Sequence, residues 1–265
     1  MSLLVSPEKL NKLLLQKKRN LLVIDTRPFD KYLNGHIPSA VNIELMQYHW
    51  NDTTKRGIMQ FESQLKKLIS NIGISNDDFV VFYDDISGSS ASRGIWLLHF
   101  FSHNNTAILD GGFNQWKEKN YEIEEITNPF LKNEFNPQTN IGILADYKYI
   151  KDKILNSKDL ILIDSRSPEE YSGKIVRAKN KGHIKSAINI DWTLNISKNK
   201  FKNLKELKRI YKNIPRNSEI ITYCQGGYRA ANTYVVLKML GYKKVKMYLG
   251  SWSEWGNLDK VPIEN

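Results

Sequence analysis

The chain of 265 residues contains one cysteine, Cys224, so no internal disulfide can brace it and a reducing compartment is expected. No apolar run approaches the roughly 20 residues needed to cross a bilayer. The opening stretch MSLLVSPEKLNKLLLQKKRN lacks a basic segment followed by an apolar core and a small-residue cleavage site. It reads as a short amphipathic helix, and a cytoplasmic protein is expected. With a single thiol and no clustered histidines, neither a metal centre nor another cofactor is expected. Acid is scarce in one half only. Residues 1–138 carry 15 Lys+Arg and 16 Asp+Glu, whereas residues 139–265 carry 24 and 12, so the net charge of +11 lies on the half that contains Cys224. Such a one-signed field attracts small anions. Lysine clusters such as KNKFKNLKELKR and GYKKVK read first as solvated faces, and nucleic acid is not expected as a partner.

What the chain does have, it has twice. LLVIDTRPFDKYLNGHIPSAVNI, from Leu21, returns as LILIDSRSPEEYSGKIVRAKNKGHIKSAINI, from Leu160. DFVVFYDDISGSSASRGIWLLHFF returns as SEIITYCQGGYRAANTYVVLKML, and TAILDGGFNQW as VKMYLGSWSEW. Three blocks in the same order indicate a duplicated domain. Domains are expected at 1–126 and 143–265. The connecting stretch EEITNPFLKNEFNPQTN, with two prolines and no apolar period, marks a surface linker over 127–142.

Each copy alternates short Ile/Val/Leu runs with longer helical patterns, which predicts an α/β fold: a mostly parallel sheet flanked by helices on both faces. In the second copy LILID, EIITY and VKMYL read as strands, and YKYIKDKILN, LKELKRIYKNI and RAANTYVVLKML as helices. Ligands bind such sheets at the carboxyl ends of strands. Cys224 follows directly on IITY and is therefore a candidate nucleophile. Gly226 and Gly227 allow a tight turn into the next helix. Successive backbone N–H groups and the helix start then make an anion cradle, and Arg229 adds a fixed charge. All of these favour a thiolate facing an anionic substrate. The competing reading is a small buried cysteine, which the flanking Gln, glycines and Arg oppose.

The motifs IDTR, GHIPSAVNI, IDSRSPEEY, GHIKSAINI, YCQGGYRAA and YLGSWSEWGN give the chain a resemblance to the tandem-domain rhodanese family of sulfurtransferases, over nearly its whole length. The resemblance implies transfer of a sulfane sulfur from an anionic donor onto Cys224 as a persulfide, and then to cyanide or another thiophilic acceptor. It implies that Gln225, Gly226, Gly227, Tyr228 and Arg229 form the substrate cradle. Arg166 matches an arginine that the family places near substrate, although Arg27 holds the same point of the other copy and argues for a role in the fold. A second substrate arginine of the vertebrate-type enzymes is replaced here by Glu170, and Arg229 is expected to supply that charge. Thiosulfate is expected ahead of 3-mercaptopyruvate as donor. Related phosphatases have one residue more between Cys and Arg, so the shorter loop here fits sulfur transfer better, and a cysteine-dependent phosphatase or arsenate reductase is left as the alternative enzyme. A basic binding module is the non-enzymatic alternative.

Alignment places Asp84 opposite Cys224, so the first copy is expected to be inactive, with a charge that repels anions. His36 and His183 recur in the paired GHI motifs and are expected to serve structure, as are the tryptophans of GSWSEW and GGFNQW. Residues 174–181, found only in the second copy, are expected to form a surface loop.

Overall fold

The twin runs LLVID and LILID each become a strand and seed a separate sheet. The computed structural model describes residues 2–156 and 160–265. In the first unit β1 (Leu4–Val5), β2 (Leu21–Asp25), β3 (Val41–Asn42), β4 (Phe79–Tyr83) and β5 (Thr106–Leu109) form a parallel sheet in the order β1-β5-β4-β2-β3. In the second, β6 (Leu144–Ala145), β7 (Leu160–Asp164), β8 (Ile188–Asn189), β9 (Glu219–Tyr223) and β10 (Val245–Tyr248) repeat it as β6-β10-β9-β7-β8. Even the register repeats: Asp25 lies opposite Tyr83, and Asp164 opposite Tyr223.

Helices cover these sheets, as βαβ connections between parallel strands require. In the first unit they include α1 (Pro7–Leu15), α2 (Ser89–Phe100) and α3 (Gly112–Glu118). In the second they include α4 (Tyr147–Asn156), α5 (Pro168–Tyr171), α6 (Leu204–Ile210), α7 (Tyr228–Met239) and α8 (Ser251–Trp255). Their starts follow local rules. Ser6 caps α1 ahead of Pro7, and Ser167 forms a reciprocal capping box with Glu170 at the start of α5. α7 is buried from Ala230 to Leu237 on every side, which explains why its sequence shows no polar stripe. The helix expected over LKELKRIYKNI stops at Ile210. Tyr211 instead turns inward, and its hydroxyl donates to Asn195 Oδ1.

The aromatic residues of the repeated motifs fill the cores. Trp116 packs with Val81, Tyr83 and Phe113 in the first unit, and Trp252 and Trp255 with Ile221, Tyr223 and Tyr248 in the second. Each such buried ring contributes about 2–3 kcal/mol through apolar burial. His36 and His183 are buried and occupy matching positions. Each ring stacks on a tyrosine, Tyr32 or Tyr171, and its Nδ1 meets that tyrosine's carbonyl oxygen at 2.9 Å.

The chain divides between Thr139 and Asn140, but two short pieces belong to the other unit than their order suggests. Residues 196–201, an antiparallel hairpin, belong to the first unit, where the Asn199 carbonyl accepts the Ser87 N–H at 2.7 Å. Residues 49–61 belong to the second. The stretch expected to run over the surface is mostly exposed, and a few of its residues pin it to the first unit. Phe135 is buried against Phe101 and His103, Asn133 donates its N–H to the Ser70 carbonyl, and Asn128 donates to the Ala40 carbonyl.

Candidate active site

β9 delivers Cys224 to the carboxyl edge of the second sheet, and four residues later the chain is already helical. Gly227 makes this possible with φ at +88°, a left-handed value that costs an L-residue about 1–2 kcal/mol. The turn brings the Gly227 N–H to within 3.1 Å of Cys224 Sγ, so a backbone donor already faces the sulfur. From the other side α8 holds the loop by its carbonyls. The Trp252 N–H donates to the Cys224 carbonyl and the Ser253 N–H to the Gln225 carbonyl, both at 2.9 Å. Ser251, itself left-handed at φ +51°, accepts the Cys224 N–H on Oγ at 3.3 Å and donates to the Tyr248 carbonyl. Cys224 is 1 % exposed, and within that burial its sulfur accepts one backbone N–H, from Gly227.

Arg229 stands in the first turn of α7 and is not alone. Its guanidinium forks onto Glu170, Nη1 to Oε2 at 2.5 Å and Nη2 to Oε1 at 3.0 Å. Arg177, from the insertion 174–181, reaches the same carboxylate with Nε at 3.0 Å. Burial works against charge in both partners. It is outweighed at Glu170 by the hydrogen bonds of Arg229, which hold the carboxyl below its usual range. At Arg229 it is outweighed by Glu170, which pushes the guanidinium up. Glu170 thus does not leave a gap in charge for Arg229 to fill. It is the anchor that fixes Arg229 at the end of the loop, and it balances two arginines with one negative charge. The insertion also steadies the loop directly, since Gln225 Nε2 donates to the Arg177 carbonyl at 3.3 Å.

Arg166 is engaged by the fold. It is 1 % exposed, and its Nε and Nη2 bind the Asp164 carboxylate and the Gly182 carbonyl while its guanidinium covers the Trp252 ring at 4.5 Å. Arg27 makes the matching bonds to Asp25 and the Gly35 carbonyl. The symmetry points to a brace between the end of the first long strand and the GHI turn.

His49 was not singled out by its sequence, yet it borders this loop within the second unit. A Cβ built on Gly226 would fall 2.1 Å from His49 Cε1, so the ring occupies the space a side chain would need. The ring lies nearly parallel to Tyr228, at 6.5 Å and 15°, and its Nε2 is 3.3 Å from Ser253 Oγ. The Ser253 hydroxyl donates to the Gly250 carbonyl, so it accepts from Nε2. Thr53 anchors the segment: its N–H and hydroxyl donate to the Glu254 carboxylate at 2.7 and 2.6 Å. The glycine pair therefore has two separate causes. Gly227 supplies a backbone angle, and Gly226 makes room for an imidazole.

In the first unit Asp84 takes the position of the sulfur, and its carboxylate fills the cradle. Oδ1 accepts the Gly88 N–H at 3.0 Å, and Oδ2 accepts the N–H groups of Ser90 and Ala91 at 3.1 and 3.2 Å. The expectation of simple repulsion is thus sharpened, because the loop carries its own anion. Burial pushes the Asp84 carboxyl up to about 6, against the opposing pull of those amides. The folded value lies above the ordinary 3.8, so the stabilising effect of the neutral form is complete below that pH and is lost as pH rises through about 6. The loss amounts to roughly 3 kcal/mol. Asp84→Asn is therefore expected to gain about that much relative to wild type between about pH 4 and about pH 7. Denaturant unfolding at both pH values checks this, and a constant difference would refute it.

The chain matches a family model described as Rhodanese-like domain twice, over residues 6–119 and 147–258. It is 31% identical over 247 residues to a thiosulfate sulfurtransferase of Pseudomonas aeruginosa, covering 92% of this chain and 91% of that one. It is 32% identical to a sulfur carrier protein, TtuD, of Thermus thermophilus, covering 88% and 86%. Among solved structures, wild-type EanB superposes with a TM-score of 0.87 at 22% identity, over 99% of this chain and 69% of that one, a likeness of fold. With two matches in one chain and a loop built around a lone thiol in only one of them, the protein belongs to the rhodanese family of sulfurtransferases.

Proposed function

We propose that the second unit moves a sulfane sulfur from thiosulfate, through a persulfide on Cys224, to cyanide or another thiophilic acceptor. One observation carries this reading: Cys224 Sγ already accepts a loop amide, and a carboxylate-anchored arginine stands in the first helical turn after the same loop. The Cys224 thiolate attacks the outer sulfur of thiosulfate, an S–S bond breaks, and sulfite departs with the electron pair. Cyanide then attacks the terminal sulfur of the persulfide, thiocyanate forms, and the thiolate returns. Both leaving groups are stable anions, so no proton need move. The amides of the loop, with Gln225 and Tyr228 shaping its sides, are the groups that meet the anion. Arg166 takes no part in this scheme.

The donor preference rests on charge. Arg229 and the exposed Arg177 face a single carboxylate, which leaves a net positive rim suited to a dianion. The name of the Pseudomonas aeruginosa relative agrees with thiosulfate. Incubation with thiosulfate should add one sulfur atom to the protein by intact mass, and cyanide should remove it as thiocyanate. A protein whose mass stays unchanged would sink the proposal, as would faster turnover of an aryl phosphate. Comparing kcat/KM on thiosulfate and 3-mercaptopyruvate settles the donor.

Gly226→Ala is expected to slow this reaction about tenfold by pushing the His49 ring off the loop. His49→Ala in the same chain should restore most of the rate, because it empties the disputed space. If the double variant were no faster than Gly226→Ala, the role assigned to His49 would be wrong.

A further inference from the structure

At the end of the second sheet opposite Cys224, lysines from three elements converge. Lys153 comes from α4, Lys238 from the last turn of α7, and Lys243, Lys244 and Lys246 from the approach to β10 and the strand itself. They line a groove of about 880 Å³ that crosses the starts of β9 and β10. Glu219 begins β9 and Cys224 follows its end, so the groove and the thiol are separated by about 16 Å of strand. The GYKKVK cluster thus lies not on an isolated solvated face but on one bank of a shared depression.

Among the described residues the groove has one carboxylate, Glu219, and it is already engaged. Lys153 lies at 3.4 Å, Lys246 at 3.7 Å, and the Tyr149 hydroxyl donates to it at 2.5 Å. That leaves Lys238, Lys243 and Lys244 with no described carboxylate in the groove. Lys238 is half-buried, and burial lowers its pKa, so its charge is held at a cost that an anion would offset. The remaining lining is polar, including Asn217 and Ser218. A protein partner would look for an apolar centre ringed by polar groups, and this groove lacks one. Spread ammonium groups without an arginine fork suit a chain of separate phosphates better than a single planar anion.

We propose that this groove binds a single-stranded phosphodiester chain through its phosphates, at a site separate from the sulfur-transfer loop. Recognition is of the backbone, since among the described residues no aromatic ring lines the groove for bases to stack on.

Fluorescence anisotropy with labelled mixed-sequence 12-mers of RNA and of DNA tests this on the full chain. Binding should weaken with salt, with a slope of log K on log salt of about −2 or steeper, as expected for three or more phosphates on a single strand. Replacing Lys238, Lys243 and Lys244 by Glu should weaken binding by at least about tenfold and flatten the slope by about 2. The milder triple change to Gln should act in the same direction, and covers the case in which the Glu variant fails to fold. A control reversing Lys205, Lys208 and Arg209 on α6 alters net charge equally and should change affinity less than about threefold. Tighter binding of the RNA or the DNA 12-mer identifies the source of the chain. Equal losses in groove and control variants would reduce the effect to net charge and overturn the proposal. So would an absence of salt dependence, or equal competition by poly-glutamate of matched charge. Sulfur loading of Cys224 should be unchanged in the groove variants, so this test and that of sulfur transfer fail independently.

Discussion

Cys224→Ser is expected to abolish the thiosulfate-dependent mass gain and to lower thiocyanate production by about 10⁴-fold or more. The substitution is nearly isosteric, and the serine oxygen can still accept the Gly227 N–H that now meets the sulfur at 3.1 Å. What changes is the chemistry. A hydroxyl is not ionised near neutral pH by amides and an arginine alone, and an alkoxide has little affinity for sulfur. The loop should keep its shape, so the thermal midpoint of the variant should match wild type within a few degrees. Full thiocyanate production by this variant would place the sulfur on another group and end the mechanism proposed here.

Arg229→Ala should have the next largest effect, and through two separate routes. It removes the cation at the end of the loop and leaves Glu170, only 3 % exposed, with Arg177 alone as its charged partner. Losing one of two charged hydrogen-bond partners of a buried carboxylate should cost about 2–3 kcal/mol. With one cation gone, the rim loses its positive excess toward an incoming anion, so kcat/KM for thiosulfate should fall by about 10² or more. Adding Glu170→Gln to Arg229→Ala separates the routes. Stability should largely return, because no buried charge is stranded, while catalysis should not, because the cation is still missing. Recovery of both together would mean that Arg229 acts only through the fold.

The repeat, the order of elements and the position of Cys224 could be read from the sequence because each rests on local periodicity or on blocks that recur. IITY alternates and ends, two glycines follow, and a helix must begin soon after. The partners of that loop were not legible, since they arrive from far along the chain. Glu170 lies 59 residues before Arg229, and its sequence offered it only as the replacement of a substrate arginine. His49 shares no motif with the loop it borders, and only the forbidden Cβ at Gly226 reveals the contact. Arg166 shows the converse. Its twin, Arg27, in a copy without the thiol was a sequence-level sign of a structural duty, and the matching bonds to Asp164 and Asp25 supply that duty. Asp84 was identified as the substitute for cysteine, but burial and three amide donors were needed to show the substitute acting as a captive ligand.

α8 holds the carbonyls of Cys224 and Gln225 with the N–H groups of Trp252 and Ser253. A peptide plane has two polar ends, and fixing the oxygen on one side turns the neighbouring hydrogen to the other. The electrical sign that this turn shows on its open side is therefore set from behind, by a short helix. If Ser251 lost its left-handed turn and α8 withdrew, the same six residues, CQGGYR, could rotate their peptide planes and present oxygens instead. The loop would then favour cations, with every side chain of the motif still in place.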